Sequence, residues 1–324
     1  MRNLAIKISG ALATVIPFER LHRMNYPVFL PFYHVVSNEK LPYVLNYRYR
    51  NTSEFENELD FILKYYQPVS LDELIKGEFK DEKNFHLSFD DGLRECFDVI
   101  APMLLKKGIP ATFFVNPAFI GNKKLFHRYK ASLLISHIVG REEEAVSVLK
   151  KWNITQSDIF KFTWQQADML DSIAKDMDLD FEAFLNERQP YLTKEQLVEL
   201  GKQGFSVGAH SWSHPEFWLI TEEEQVAQVE KSVGWVRDNI NPQHLVFSFP
   251  FTDSGCSEKV FRAIAGKNLC RLTFGTAGIK ADELPFHLQR FPCETRFPLK
   301  AHLKTEMVYS KLRKFAGKNI VKHT

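Results

Sequence analysis

Short apolar runs alternate along the chain with segments whose apolar residues recur at three- and four-residue spacing. The run within Val28–Val36 comes first, followed by Phe85–Phe89, Ala111–Val115, Gly204–Gly208, Leu245–Phe249 and Arg271–Phe274. Between them, Ser53–Tyr66 places Phe55, Leu59, Ile62 and Leu63 on one helical face. Ser70-Leu71-Asp72-Glu73 reads as a capped helix start, and Val99, Ile100, Met103 and Leu104 belong to a helix that stops at Gly108. Strands alternating with helices predict an α/β fold built from βα units, with a parallel sheet or barrel. Residues 121–189 break this rhythm. They carry helical patterns such as Tyr129, Leu133, Leu134 and Ile138 and no strand, over a length too great for a structureless loop, so a helical insertion is expected.

The two ends read differently from the middle. Arg2 and Lys7 precede the apolar run Ile8–Ile16, and Ala11-Leu12-Ala13 imitates a cleavage site, but it lies inside the run and not after it. Leu4, Ile8, Leu12 and Val15 share one helical face, which predicts an amphipathic segment over 1–27 and no signal peptide. No stretch of about 20 apolar residues exists, so no transmembrane helix is expected. Residues 28–298 form the barrel unit, including the insertion 121–189, and residues 299–324 form a basic tail. That tail has seven basic residues against the single acid Glu306, a formal +6; the chain's net +2 leaves −4 elsewhere. Leu299, Leu303, Met307 and Leu312 supply an apolar stripe beside lysines at helical spacing, Lys318 and Lys322 included. The expectation is a basic helix lying on an anionic membrane surface, against the alternative of a barrel-capping helix with solvated lysines.

Composition narrows the class. With 324 residues, 44% hydrophobic and 25% charged, the chain is neither disordered nor a disulfide mini-protein. A net charge of +2 argues against nucleic acid as a partner. Cys96, Cys256, Cys270 and Cys293 form no CxxC pair, consistent with buried thiols and a cytoplasmic location. No feature of the sequence fixes an oligomeric state.

Two polar clusters follow strand-like runs. Asp90-Asp91 ends the run at Phe89, and His210 and His214 follow the run at Ala209. In a barrel the C-terminal strand ends converge on one mouth. Asp91, His210 and His214 would give a carboxylate and two imidazoles with open positions for water and substrate, the donor set of a hydrolytic metal site. Asp90 would then be the general base. In isolation, Asp90-Asp91-Gly92 is equally a solvated turn, and a chance HxxxH is common among 11 histidines.

Taken in order, Ser88-Phe89-Asp90-Asp91-Gly92 and His210-Ser211-Trp212-Ser213-His214 resemble the first two motifs of the polysaccharide deacetylases, the NodB-homology group or carbohydrate esterase family four. Tyr33-His34 is similar to a strand near the start of many members, Phe247–Phe251 to the third motif, and Leu288-Gln289-Arg290 to a segment of the last strand. The resemblance covers roughly 28–120 and 190–295. It implies a deformed (β/α) barrel and a divalent metal, zinc foremost with cobalt, nickel or manganese as alternatives, held by Asp91, His210 and His214. It also implies Asp90 as base, His34 as general acid, and Phe251 with Pro250 at the oxyanion and substrate position. The implied substrate is an acetylated saccharide, a polymer or a lipid-linked one, losing an N- or O-acetyl group. Two departures stand out. Ser248 occupies the place of an arginine that pairs with the base, for which Arg290 is the candidate replacement, its alternative being a surface ion pair. Thr252 stands where a glycine is expected. Two rival readings remain at this stage: a lapsed carbohydrate-binding protein on the same fold, and a deformylase or cyclic-imide hydrolase. Trp152 and Trp164 of the insertion are candidate sugar-stacking platforms, against the alternative that they fill the insertion's own core.

Overall fold

The computed structural model describes residues 2–24, 26–77 and 83–324. Eight short strands build the central sheet: β1 Pro31–Tyr33, β2 Leu87–Phe89, β3 Ala111–Val115, β4 Ser206–Ala209, β5 Val246–Ser248, β6 Leu272–Gly275, β7 His287–Gln289 and β8 Phe291–Pro292. Their order across the sheet is β7-β6-β5-β4-β3-β2-β1-β8, and every pair is parallel. β7 and β8 are one run of chain broken at Arg290. The Arg290 N–H donates to Gly275 O on β6 at 3.1 Å, and the Phe291 N–H donates to Leu30 O beside β1 at 2.8 Å. One chain segment therefore pairs with both ends of the sheet and nearly closes it into a barrel. Apart from Ser206 at its start and Leu288 and Pro292 in the last run, the strand residues are buried, as parallel strands covered by helices must be. Helices Thr52–Tyr65, Ala101–Lys107, Lys194–Lys202, Glu222–Asn239 and Glu258–Gly266 surround them. The Ser70/Glu73 capping box starts helix Leu71–Lys76, and Gly108 ends Ala101–Lys107 at φ 65°, as expected from the sequence.

Register sets up the mouth. Tyr33 pairs with Phe89, Phe89 with Phe113, Val115 with Ala209, and Gly275 with Gln289. The residues that follow these strand ends, His34, Asp90, His210 and Arg290, are thereby carried to the same rim.

The expected insertion is helical. His127–Ile138, Glu142–Lys151, Gln156–Ile159, Ala167–Asp176 and Phe181–Arg188 pack on one another around Leu134, Ile138, Ile159, Leu170 and Ile173.

The termini differ from expectation in an instructive way. Helix Leu299–Phe315 forms, but Leu299, Leu303 and Met307 are buried against the barrel core, so most of the apolar stripe is consumed by packing and only Leu312 is exposed. Lys318 and Lys322 are not on this helix. The chain reverses at Gly317, φ 67°, and Ile320–Val321 pairs with Ala281–Asp282. Helix Arg2–Val15 packs against Leu299–Phe315 with Ser9 and Ala13 facing inward, whereas Ile8, Leu12 and Val15 face solvent. The side chains of Arg2 and Leu4 lie outside the described residues. Among the described residues, no helix is long and apolar enough to cross a membrane.

Candidate active site

Asp91, His210 and His214 come together. Their donor atoms all lie within 4.8 Å of one another. Asp91 Oδ1 is 3.3 Å from His214 Nε2 and 3.7 Å from His210 Nε2. Ligands about 2.0–2.1 Å from a tetrahedral ion are separated by roughly 3.3 Å, so the spacing suits one. Asp91, Ser211 and His214 have φ values of 71°, 66° and 55°. Non-glycine residues rarely adopt such angles, and their clustering at one site marks strain held by the surroundings. Asn116 does part of the holding, its Nδ2 donating to the carbonyls of His210 and Ser211, while Ser211 Oγ accepts from the His214 N–H at 3.1 Å.

Two of the donors, His210 and Asp91, have outer contacts of the kind a metal site uses, whereas His214 Nδ1 has no hydrogen-bond partner among the described residues. His210 Nδ1 faces Ser248 O at 2.8 Å, an N–H donor position that leaves Nε2 as the free lone pair. Burial pushes the His210 imidazole down to about 4, keeping it in the neutral ligand form. Asp91 Oδ2 accepts from Tyr129 Oη at 2.7 Å, whereas the buried Asp91 Oδ1 has no hydrogen-bond partner. Burial opposes ionisation of Asp91, but the His214 contact, then His34 and His210, outweigh it and hold the carboxyl low. A buried, ionised oxygen with no hydrogen bond, facing two imidazoles, is the environment a divalent cation satisfies.

Asp90 is held by a different partner. Arg290 Nη1 and Nη2 donate to its two carboxylate oxygens at 2.7 Å each, a bidentate fork. The guanidinium also donates to Ser88 Oγ at 3.0 Å and to Ser248 Oγ, and lies over the Phe32 ring at 4.3 Å. Arg290 is fully buried, so the surface ion-pair alternative is excluded. Ser248, which stands in the arginine's expected place, is instead an acceptor for the arginine supplied from the last strand. Burial works against the Asp90 carboxylate, yet Arg290 holds its pKa below the ordinary value.

His34 lines the same cavity. Its Nδ1 faces Glu294 Oε2, and Glu294 Oε1 accepts from the backbone N–H groups of His34 and Val35 at 3.0 and 3.1 Å. The ring stacks on Tyr47 with centroids 4.2 Å apart. Burial alone would depress the imidazole; the Glu294 carboxylate overrides it and lifts the pKa to about 9.

The model of the family described as polysaccharide deacetylase matches residues 78–267, more than half of the chain. The chain belongs to the polysaccharide deacetylase family. It is therefore a hydrolase of the carbohydrate-deacetylating class. No curated protein matches the sequence. Among solved structures, the Streptococcus pyogenes deacetylase PplD, in complex with acetate, is similar with a TM-score of 0.57 at 16% identity, covering 87% of this chain and 99% of its own. IcaB from Ammonifex degensii gives 0.56 at 14%, covering 88% and 98%. A de-N-acetylase from Aggregatibacter actinomycetemcomitans gives 0.52 at 14%, covering 84% and 97%. At such identities these likenesses establish the barrel fold.

In this polysaccharide deacetylase the insertion reaches the cavity, whose volume is about 540 Å³. Phe126, Arg128 and Phe160 contribute to its wall. The buried Glu216, two residues past His214, ties the insertion down by accepting from Arg128 Nη2 at 2.9 Å and the Trp164 N–H at 3.0 Å, with His127 Nε2 at 3.1 Å. Phe251, φ 57°, also lines the cavity, and its N–H has no acceptor among the described residues. Pro250 is buried and is not among the residues that line the cavity. Where a glycine was expected, Thr252 tightens the loop, its N–H donating to Pro250 O at 2.6 Å and its Oγ1 accepting from Ser254. Trp152 and Trp164 do not line the cavity. Trp152 packs on the insertion's core and donates to Asp176 at 2.8 Å, so the core-filling alternative describes it.

Sequence reasoning missed Glu294, Tyr129 and Glu216. Glu294 carried a weak signal, a lone carboxylate two residues past the last strand. Tyr129 carried none, because its ring completes an apolar helical face and conceals what its hydroxyl does.

Proposed function

We propose that the enzyme is a metal-dependent N-deacetylase of an acetylated saccharide, with Asp91, His210 and His214 as the metal ligands. The observation that carries this reading is the unpartnered Asp91 Oδ1 converging with two imidazoles beside an arginine-clamped Asp90. A zinc-class ion held there supplies Lewis acidity toward the acyl oxygen and lowers the pKa of water. Asp90, kept ionised and oriented by Arg290, takes the proton of the attacking water. The Phe251 N–H donates to the oxyanion as it develops. His34, protonated through Glu294, gives a proton to the departing nitrogen. An amine must be protonated to depart whereas an alcohol needs this less, so an imidazole kept protonated at neutral pH favours N-acetyl over O-acetyl. The lapsed-site reading loses its motive, because the arginine absent from motif three is replaced by Arg290. The test is incubation with a panel of acetylated oligosaccharides, reading loss of the acetyl group by mass. Turnover of none of them, or equal turnover by Asp90→Asn, would sink the assignment.

The saccharide is proposed to be reached at an anionic membrane surface, through the N-terminal helix in place of the buried C-terminal stripe. Ile8, Leu12 and Val15 present an apolar face to solvent. An adjoining cleft between the terminal helices is rimmed by Lys7, Arg296, Lys300 and Lys304, with no carboxylate among its lining residues. Apolar insertion beside a basic rim suits anionic lipid. Sedimentation with phosphatidylserine vesicles should retain the protein at low salt and release it at high salt. Equal pelleting of a Leu12→Asp/Val15→Asp variant would end the idea.

A further inference from the structure

A second cluster of donors lies outside the active site. Asp253, Asp282, His287 and His323 come from four separate segments: the loop after β5, the short strand Ala281–Asp282, the start of β7, and the residue before the last of the tail. Their donor atoms lie within 4.8 Å of one another. His287 Nε2 is 3.0 Å from Asp253 Oδ2 and 4.0 Å from Asp282 Oδ2, and His323 Nε2 is 3.1 Å from Asp282 Oδ2. These separations bracket the edge of about 3.3 Å that a tetrahedral zinc-type ion imposes on its ligands.

The surroundings are built as an outer shell. His287 Nδ1 faces Thr273 Oγ1 at 2.8 Å, which directs Nε2 toward the cluster. Asp253 Oδ1 accepts from the Thr276 N–H at 3.3 Å and Asp282 Oδ1 from the Leu284 N–H at 3.0 Å. Gln289 Nε2 donates to the Oδ2 atoms of both aspartates, at 2.7 and 2.8 Å, and so holds the two carboxylates side by side. Gly275 makes the approach possible: a Cβ there would lie 2.5 Å from Gln289 Oε1 and 2.6 Å from Asp253 Cγ. Two carboxylates this close in a buried setting repel unless positive charge is shared between them.

We propose that Asp253, Asp282, His287 and His323 bind a second divalent ion of the zinc class, a structural one with four protein ligands. It staples the C-terminal tail to the loop that carries Phe251, two residues from Asp253, and so links tail docking to the wall of the catalytic cavity. This does not depend on the activity assigned to the first site. Without an ion, the same residues make two histidine–aspartate ion pairs, and the experiment distinguishes these cases.

Protein purified without chelator is saturated with zinc, desalted and assayed for bound metal. The intact chain should hold two equivalents, His323→Ala one, His210→Ala one, and the double variant none. Asp282→Asn, which keeps the size of the side chain, should also lose one. In the His210→Ala background, chelator should lower the melting temperature, and the double variant should show no such drop. A single equivalent that His210→Ala loses and His323→Ala keeps, or two in both His323→Ala and Asp282→Asn, overturns the proposal and leaves only the ion pairs. Loss of metal in His323→Ala but not in His210→Ala would support the second site while removing the first, so the two failures are distinguishable.

Discussion

The two donor clusters have similar side chains and opposite degrees of satisfaction. At the barrel mouth, three donors converge, one carboxylate oxygen of Asp91 has no hydrogen bond, and a cavity opens in front of them. Around Asp253, all four donors are engaged by neighbouring protein groups, and Gln289 bridges the two carboxylates. Three protein ligands and an open position suit chemistry, whereas four ligands with a full outer shell suit structure. Strain follows the same division: Asp91, Ser211, His214 and Phe251 all have positive φ, while Asp253, Asp282, His287 and His323 do not. Of the two clusters, only the one whose side chains are aimed into a cavity is held by left-handed backbone.

The comparison can be broken most sharply by matched Asp→Asn changes. Asp90→Asn should lower kcat by roughly 10²–10⁴-fold, because an amide cannot accept the proton. Metal content should be unchanged, since Asp90 is not one of the three donors. Asp282→Asn should do the reverse, altering metal content and melting temperature while kcat changes far less. Steady-state kinetics beside metal analysis of both variants checks this, and similar kinetic losses in the two would erase the distinction.

Arg290→Met should have the next largest effect, and it acts on stability as well as rate. Removing the guanidinium leaves the buried Asp90 without its fork and strands the hydroxyls of Ser88 and Ser248. Losing one member of a buried pair costs about 3–5 kcal/mol. Adding Asp90→Asn in the same chain should recover part of that loss, because the uncompensated charge disappears. Urea unfolding of the single and double variants measures it. Additive losses would mean that Asp90 and Arg290 are not energetically coupled.

The sequence made the Asp90-Asp91 and His210–His214 cluster legible because parallel strands in register deliver the residues after them to one rim. The partners were harder to read. Arg290 reaches Asp90 across 200 residues of sequence, and only the missing motif-three arginine suggested the substitution. The second cluster was invisible, since its members are isolated aspartates and histidines with no shared spacing. Periodicity also revealed the apolar stripes of both terminal helices without showing what covers them. Leu299, Leu303 and Met307 meet the barrel, while Ile8, Leu12 and Val15 meet solvent. The pattern identifies a face; packing decides its partner.

The smallest effect expected is a displaced pH profile. With a pKa of about 9, His34 stays protonated across neutral pH and can act as an acid until the pH rises through that value. Its pairing with Glu294 also stabilises the fold, because the folded pKa lies above the ordinary value. That contribution is complete below about pH 6.5 and is lost as the pH climbs through about 9. Glu294→Gln removes the charge that overrides burial, so the alkaline limb of kcat/KM should move down to about 6.5 or lower. Activity should change least well below pH 6.5, while at pH 8 it should fall roughly 30-fold or more, as the protonated fraction of His34 drops. Thermal melts should lose their alkaline dependence over the same interval. The acid assignment would be lost if the variant kept the wild-type alkaline limb, since His34 would then titrate without Glu294 or take no part in the reaction.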